Sequence, residues 1–303
     1  MTTPSHLSIH LRLLGMAALW GVAWPLGRLV GQSIPPITAS GLRFMIASIA
    51  LLLWLYRYNR FSVARALTAR QWLNLALASS AGILGYSSFF MLSLQVVPAG
   101  KASIIVAVNP AVTLLMAALI FKERLNGIIC LGMVLAAVGA TVAITDGNIM
   151  AFIQQGGLGS GILLLLGCVA CWVTYTLLGR VLLSGIDALT TTTICSTLGG
   201  LMLVLASFPA EGLTGWNSVL SAPASAWISL IVMALACTTL AYAWYFDGVK
   251  ALGAGASAGY ITLVPVFGLL FSGLILKEHL GLSLLTGGLI AISGMTLMNL
   301  GRR

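Results

Sequence analysis

The chain alternates long apolar runs with short polar breaks, and the length of the runs carries the first inference. At 1.5 Å per helical residue, about 20 apolar residues cross a hydrocarbon core about 30 Å thick. Runs of that size lie near residues 11–30, 36–56, 71–95, 99–121 and 125–145. A second set follows near 158–181, 187–208, 224–248, 252–276 and 280–300. The pattern predicts ten transmembrane helices. The breaks are short and rich in Gly, Pro and Asn, as in Ser33–Pro36 and Asp146–Gly157, and leave no room for a soluble domain. Two are tighter still, Val97–Gly100 and Ala251–Gly255. These predict hairpins joining the third and fourth spans and the eighth and ninth.

The runs also repeat. Gly15, Trp20, Gly27 and Arg28 recur 152 residues later as Gly167, Trp172, Gly179 and Arg180. Pro110, Lys122, Glu123, Leu125, Gly132 and Gly139 recur 155 residues later as Pro265, Lys277, Glu278, Leu280, Gly287 and Gly294. A three-residue insertion reconciles the two shifts, so residues 1–150 and 151–303 read as duplicated halves. Five spans is an odd number, so the second half enters the membrane from the opposite side. The expected fold is an all-α integral membrane protein of two inverted five-helix repeats, a plan common among secondary transporters.

Composition agrees with this picture. Of 303 residues, 59% are hydrophobic and only 7% charged, with a mean hydropathy of +1.06. A soluble domain carries roughly 25% charged residues, so lipid must cover most of this surface. The net charge of +9 does not argue for nucleic acid. The basic residues stand singly at the ends of apolar runs, apart from the cluster Arg57, Arg60, Arg65 and Arg70, which reads as topology and headgroup contact. With the N-terminus inside, eleven Lys and Arg fall in cytoplasmic loops and four (Arg28, Arg43, Lys101 and Lys277) on the other side. Both termini are therefore expected in the cytoplasm of a cell whose plasma membrane (the inner membrane of a bacterium) holds the protein. The first run continues into a full span with no small-residue cleavage site, so a secretory signal is not expected.

Candidate chemistry sits at a few positions. Pro110 and Pro265 fall near the middle of the fourth and ninth spans. Each lacks an N–H and clashes with the carbonyl four residues earlier, those of Val106 and Ile261. Matched breaks at the midplane predict helices that bend beside a cavity and act as hinges. Asn109 precedes Pro110, while Val264 holds the corresponding place, so any polar role there is one-sided. Aromatic residues suited to wall a substrate cavity are Trp20, Trp24, Tyr86, Phe90, Trp172, Tyr175, Tyr242 and Tyr260. Some Trp and Tyr serve instead as headgroup-level anchors, but those deep in a span need hydrogen-bond partners. Such a wall suits a zwitterion with an apolar or aromatic side chain.

Charged candidates are fewer. Glu123 and Glu278 stand before the fifth and tenth spans, where a carboxylate favours a helix N-terminus, with gating as the alternative role. Arg43 lies inside the second span and either snorkels outward or binds carbonyls near the outer mouth. Asp247 is the one acid within a span, near its cytoplasmic end. This scarcity points to downhill transport or an unusual coupling. Cys168 and Cys171 form a C-x-x-C inside a span and read as packing residues. Gly255–Gly259 matches the G-x-S-x-G of hydrolases around Ser257, but no histidine is placed as its base, and small-residue helix packing explains it better. No metal-binding cluster, phosphate loop or cofactor motif is evident, so neither an enzyme nor an ATP-driven pump is expected.

The paired stretches Pro98–Leu125 and Gly253–Leu280, each containing a Lys-Glu dipeptide near its end, resemble the drug/metabolite transporter superfamily, and within it the ten-helix EamA-type branch. Leu19-Trp20-Gly21 with Pro25, and Leu42-Arg43-Phe44, carry the same resemblance, which covers essentially the whole chain. It implies a basket of helices around a central cavity and export of small metabolites. The sequence looks most like the aromatic and neutral amino-acid exporters of that family. The expected activity is export of large apolar or aromatic amino acids by alternating access, with the lipid bilayer and a small-molecule substrate as partners. Export of other metabolites or drugs, or a nucleotide-sugar-like carrier of the same fold, is the alternative. A monomer is compatible with this plan.

Overall fold

The computed structural model describes residues 6–57, 67–122, 125–154, 159–182 and 186–301. Among them, ten helices are long and apolar enough to cross a membrane. They are α1 (Leu7–Gly31), α2 (Pro36–Arg57), α3 (Ala69–Val96), α4 (Ala99–Phe121) and α5 (Gly127–Ile144). The second set is α6 (Ser160–Gly179), α7 (Ala188–Ser221), α8 (Ala224–Leu252), α9 (Ala256–Leu276) and α10 (Leu282–Gly301). Leu53, Leu119, Leu205, Leu274 and Leu289 are each more than 60% exposed. In water such a surface would drive aggregation; in a bilayer it faces acyl chains.

Helix starts follow two rules. Some are capped from the adjoining chain. Thr68 and Gln71 form a reciprocal capping box before α3, Asn126 Oδ1 accepts from Ile129 N before α5, and Asp187 Oδ1 accepts from Thr190 N before α7. Two others are capped from far along the chain. Ile37 N and Thr38 N, in the first turn of α2, donate to Glu211 Oε1 and Oε2 at 2.7 and 2.8 Å. Ala99 N and Gly100 N of α4 donate to Glu278 Oε1 and Oε2 at 2.8 and 2.9 Å. A proline begins or precedes each of these helices (Pro36 and Pro98), and the first free N–H groups find a carboxylate rather than water.

The chain packs as two compact units. One takes the chain up to Pro25, Val96–Leu166 and the chain from Leu240 onward. Within it α5 and α10 cross with backbones touching. A Cβ on Gly139 would lie 2.4 Å from Ala291 N, and one on Gly294 would lie 2.4 Å from Ala136 N. Gly132 meets Gly294 O and Gly287 meets Gly139 O in the same way. Small residues permit this approach, which supplies dispersion contact where no hydrophobic effect operates between helices.

The other unit takes Leu26–Gln95 and Gly167–Thr239. Its spine is the antiparallel pair α2 and α7. Gly41 lies against Val204 and Gly200 against Phe44, while Gly199 admits Ile83 of α3. Here α7 departs from expectation. The Pro, Gly, Asn and Ser residues after Phe208 read as a loop, yet helix continues to Ser221 across a turn at Gly212 (φ 64°, ψ −170°). That left-handed φ suits glycine. The Trp216 ring stacks on Phe208 at 5.8 Å and its Nε1 donates to Ser207 Oγ at 3.0 Å, tying the extra turns back to the span.

Candidate functional site

The two helices that carry the matched prolines, α4 and α9, both break, whereas Pro25 stays inside the continuous helix α1. In α4, helical geometry stops at Val106 and restarts at Asn109. Between them Ala107 N donates to Ser103 O and Ile104 O, both at 3.2 Å, and Val108 N donates to Ile105 O at 3.3 Å. Bonding three residues back overwinds the chain by one short turn. Pro110 then has no N–H to offer the Val106 carbonyl. In α9 the same turn recurs: Thr262 N donates to Gly259 O and Leu263 N to Tyr260 O, at 3.3 and 3.1 Å, and helix resumes at Val264 before Pro265. Both helices end on a lysine in left-handed conformation, Lys122 (φ 56°) and Lys277 (φ 54°).

The helices that precede these in the chain, α3 and α8, are distorted in the opposite sense. In α3 residues Ser80–Gly85, and in α8 residues Met233–Leu240, are underwound into π-helix. Shifted by 155 residues, 80–85 falls on 235–240, within the second segment. Sequence reasoning missed both. The available signal was a run of small and hydroxyl residues in each. Thr238 Oγ1 donates to Met233 O and Thr239 Oγ1 to Ala234 O, five residues back, occupying carbonyls that the wider turn leaves open.

Arg43 of α2 reaches this second segment. Its Nε and Nη2 donate to Thr238 Oγ1 at 3.2 and 3.1 Å, and its guanidinium carbon stands 5.2 Å from the Phe44 ring centroid. The cation is thus turned onto α8 rather than snorkelling outward. Thr238 was not singled out from the sequence.

The aromatic candidates gather in two sets. In the second unit, Tyr86 lies 5.5 Å from Trp172 and 6.2 Å from Phe90, and Trp172 lies 6.1 Å from Tyr175. The π-segment of α3 carries Gly82, where a Cβ would stand 2.4 Å from the Tyr175 ring. In the first unit, Trp20 packs edge-on to Tyr242 at 5.4 Å and against Tyr245 at 5.7 Å. Trp24 is buried beside Gly268 of α9. Tyr260 is engaged elsewhere: its hydroxyl is 2.5 Å from His10 Nδ1. Asn109 stands in the α4 break, 8% exposed, with Oδ1 lacking a hydrogen-bond partner.

The acids are committed to structure. Asp146 pairs with Lys101 at 2.9 Å and Asp247 with Arg12 at 2.5 Å. Asp187, Glu211 and Glu278 hold helix starts. Glu278 therefore holds the start of α4 and not that of the following α10. Glu123 lies outside the described residues. Glu211 was missed, although a carboxylate two residues after Pro209 in so apolar a chain is itself a signal. Ser257 Oγ donates to Gly253 O, as a packing serine does.

Comparison with known proteins places this chain among membrane transporters. The model of the EamA-like transporter family matches residues 7–145 and again 159–300. The uncharacterized transporter YyaM of Bacillus subtilis is 25% identical over 267 residues, which cover 88% of this chain and 86% of that protein. A probable amino-acid metabolite efflux pump of Escherichia coli K12 is 26% identical over 296 residues, covering 95% of this chain and 93% of the pump. One solved crystal structure superposes with a TM-score of 0.59 at 18% identity, covering 97% of this chain and 96% of its own, a likeness of fold.

Proposed function

The chain belongs to the EamA-like transporter family and is a multi-pass membrane transporter, not an enzyme, and from that premise we propose that it exports large apolar or aromatic amino acids by alternating access. The observation that carries the mechanism is the matched pair of breaks. A proline removes one hydrogen bond from α4 and one from α9 at corresponding points, and each helix absorbs the loss in a turn of two residues. Local bending there costs little, because no helical bond has to be broken first. The π-segments give α3 and α8, which precede α4 and α9 in the chain, slack of the opposite sense.

The inverted duplication has its own support. Gly132 faces Gly294 while Gly139 faces Gly287. Gly132 and Gly287 are repeat partners, as are Gly139 and Gly294, so the crossing is the self-complementary kind that a two-fold axis produces. The bias of Lys and Arg across the loops favours both termini in the cytoplasm. Five described carboxylates already hold cations or helix starts, which favours downhill export over proton coupling.

The substrate class rests on the aromatic set Tyr86, Phe90, Trp172 and Tyr175, where rings and phenols offer an apolar body with polar edges. The name of the Escherichia coli relative points the same way. Proteoliposomes loaded with labelled phenylalanine, leucine, lysine or a cationic dye test it. Saturable efflux of the first two, reduced several-fold in Tyr86→Ala and Trp172→Ala, is the expected result. Efflux of the dye alone would move the assignment to drug export.

A further inference from the structure

Asn109 is the first residue of the helical piece that restarts α4 and the residue before Pro110. Its side chain is more than nine-tenths buried and its Oδ1 accepts no hydrogen bond. Among the described residues two other buried oxygens share that state, Ser48 Oγ and Ser272 Oγ. Those are hydroxyls, and a hydroxyl can rotate onto a carbonyl one turn back in its own helix. A carboxamide oxygen carries no hydrogen and can only accept, so it is satisfied by a donor brought to it. At the depth of a mid-span residue, bulk water does not supply one. Nor does the break need this side chain. The matching turn in α9 forms with Val264 in the same place. Asn109 is therefore a polar addition to a device that works without it.

We propose that Asn109 Oδ1 is the acceptor for the amino group of the transported amino acid. The inference rests on the amino-acid reading above and names the substrate group that the break in α4 receives. The site joins the carbonyl end of Ala99–Val106 to the N–H end of Asn109–Phe121. Opposite partial charges meet there, which suits a zwitterion better than a net cation or anion. Asn109 Oδ1 adds to the carbonyl side and takes the ammonium. An analogue with the same side chain and carboxylate but no amino group leaves the oxygen buried and unpaired, and the carrier rejects it for that reason.

The test compares efflux of labelled phenylalanine and 3-phenylpropanoate from proteoliposomes of the full chain. The wild type prefers phenylalanine by at least about tenfold, the scale expected where a missing donor strands a buried acceptor. Asn109→Val installs the residue of the other half. It keeps a wild-type elution profile and thermal midpoint and brings the preference down toward 1 through loss of phenylalanine flux. Asn109→Asp retains an acceptor and retains the preference. An unchanged ratio in Asn109→Val, or an equal loss of both fluxes, overturns the assignment. Should the valine variant fail to fold, loss of preference in a folded Asn109→Asp does the same. A wild type that moves no amino acid overturns the amino-acid reading itself, and this inference with it.

Discussion

Replacing Pro110 by alanine separates a hinge from a packing kink, because the two readings place its effect on different observables. The substitution restores an N–H facing the Val106 carbonyl, so one helical bond worth about 1 kcal/mol net becomes available. The shared bond of Ala107 and the three-back bond of Val108 can then relax to full four-back geometry. Against this, the unfolded chain regains the freedom that proline had removed, about 0.4–1 kcal/mol. The two contributions nearly cancel, so the thermal midpoint in detergent should move little, corresponding to less than about 1 kcal/mol either way. Flux should nonetheless fall several-fold, since a continuous α4 must break a bond at each bend. Pro265→Ala should behave alike, and the double variant should be slower than either. The assay is efflux from proteoliposomes beside thermal unfolding of the same preparations. Wild-type flux in the double variant with an unmoved midpoint would refute the hinge. A large loss of stability would instead assign the prolines to packing.

Three further outcomes follow from the same geometry. Gly139→Ala must push α5 and α10 apart by about 1 Å to clear Ala291 N, lowering stability by about 1–3 kcal/mol; an unmoved thermal midpoint would contradict the crossing. Glu278→Gln keeps its shape but leaves one acceptor for Ala99 N and Gly100 N, at a cost of about 1 kcal/mol after discounting for a half-exposed site. Amide exchange in the first turn of α4 should accelerate, with no change if the cap is idle. Arg43→Lys replaces a two-pronged hold on Thr238 Oγ1 by a single donor, at about 1 kcal/mol. Thermal unfolding reads the loss, and an unchanged value would show that the guanidinium fork is dispensable.

Local rules made much of this legible in advance. Ten spans follow from run length because a bilayer sets one ruler for every helix. The breaks in α4 and α9 follow from Pro110 and Pro265 because a missing N–H acts on its own helix. Asn109 stood out because a carboxamide in mid-span is costly wherever it points. The tertiary structure alone decided the rest. Glu211 and Ile37 are 174 residues apart, and Arg43 and Thr238 are 195 apart; no local pattern couples them. Which aromatics meet was equally hidden. In water, polar and apolar faces reveal how a helix is turned; here lipid and protein both accept Leu, Val and Ala, so the faces look alike until the helices pack. The π-segments were illegible for a related reason, since an extra residue in a turn is stabilised by what the widened turn touches, such as Tyr175 against Gly82.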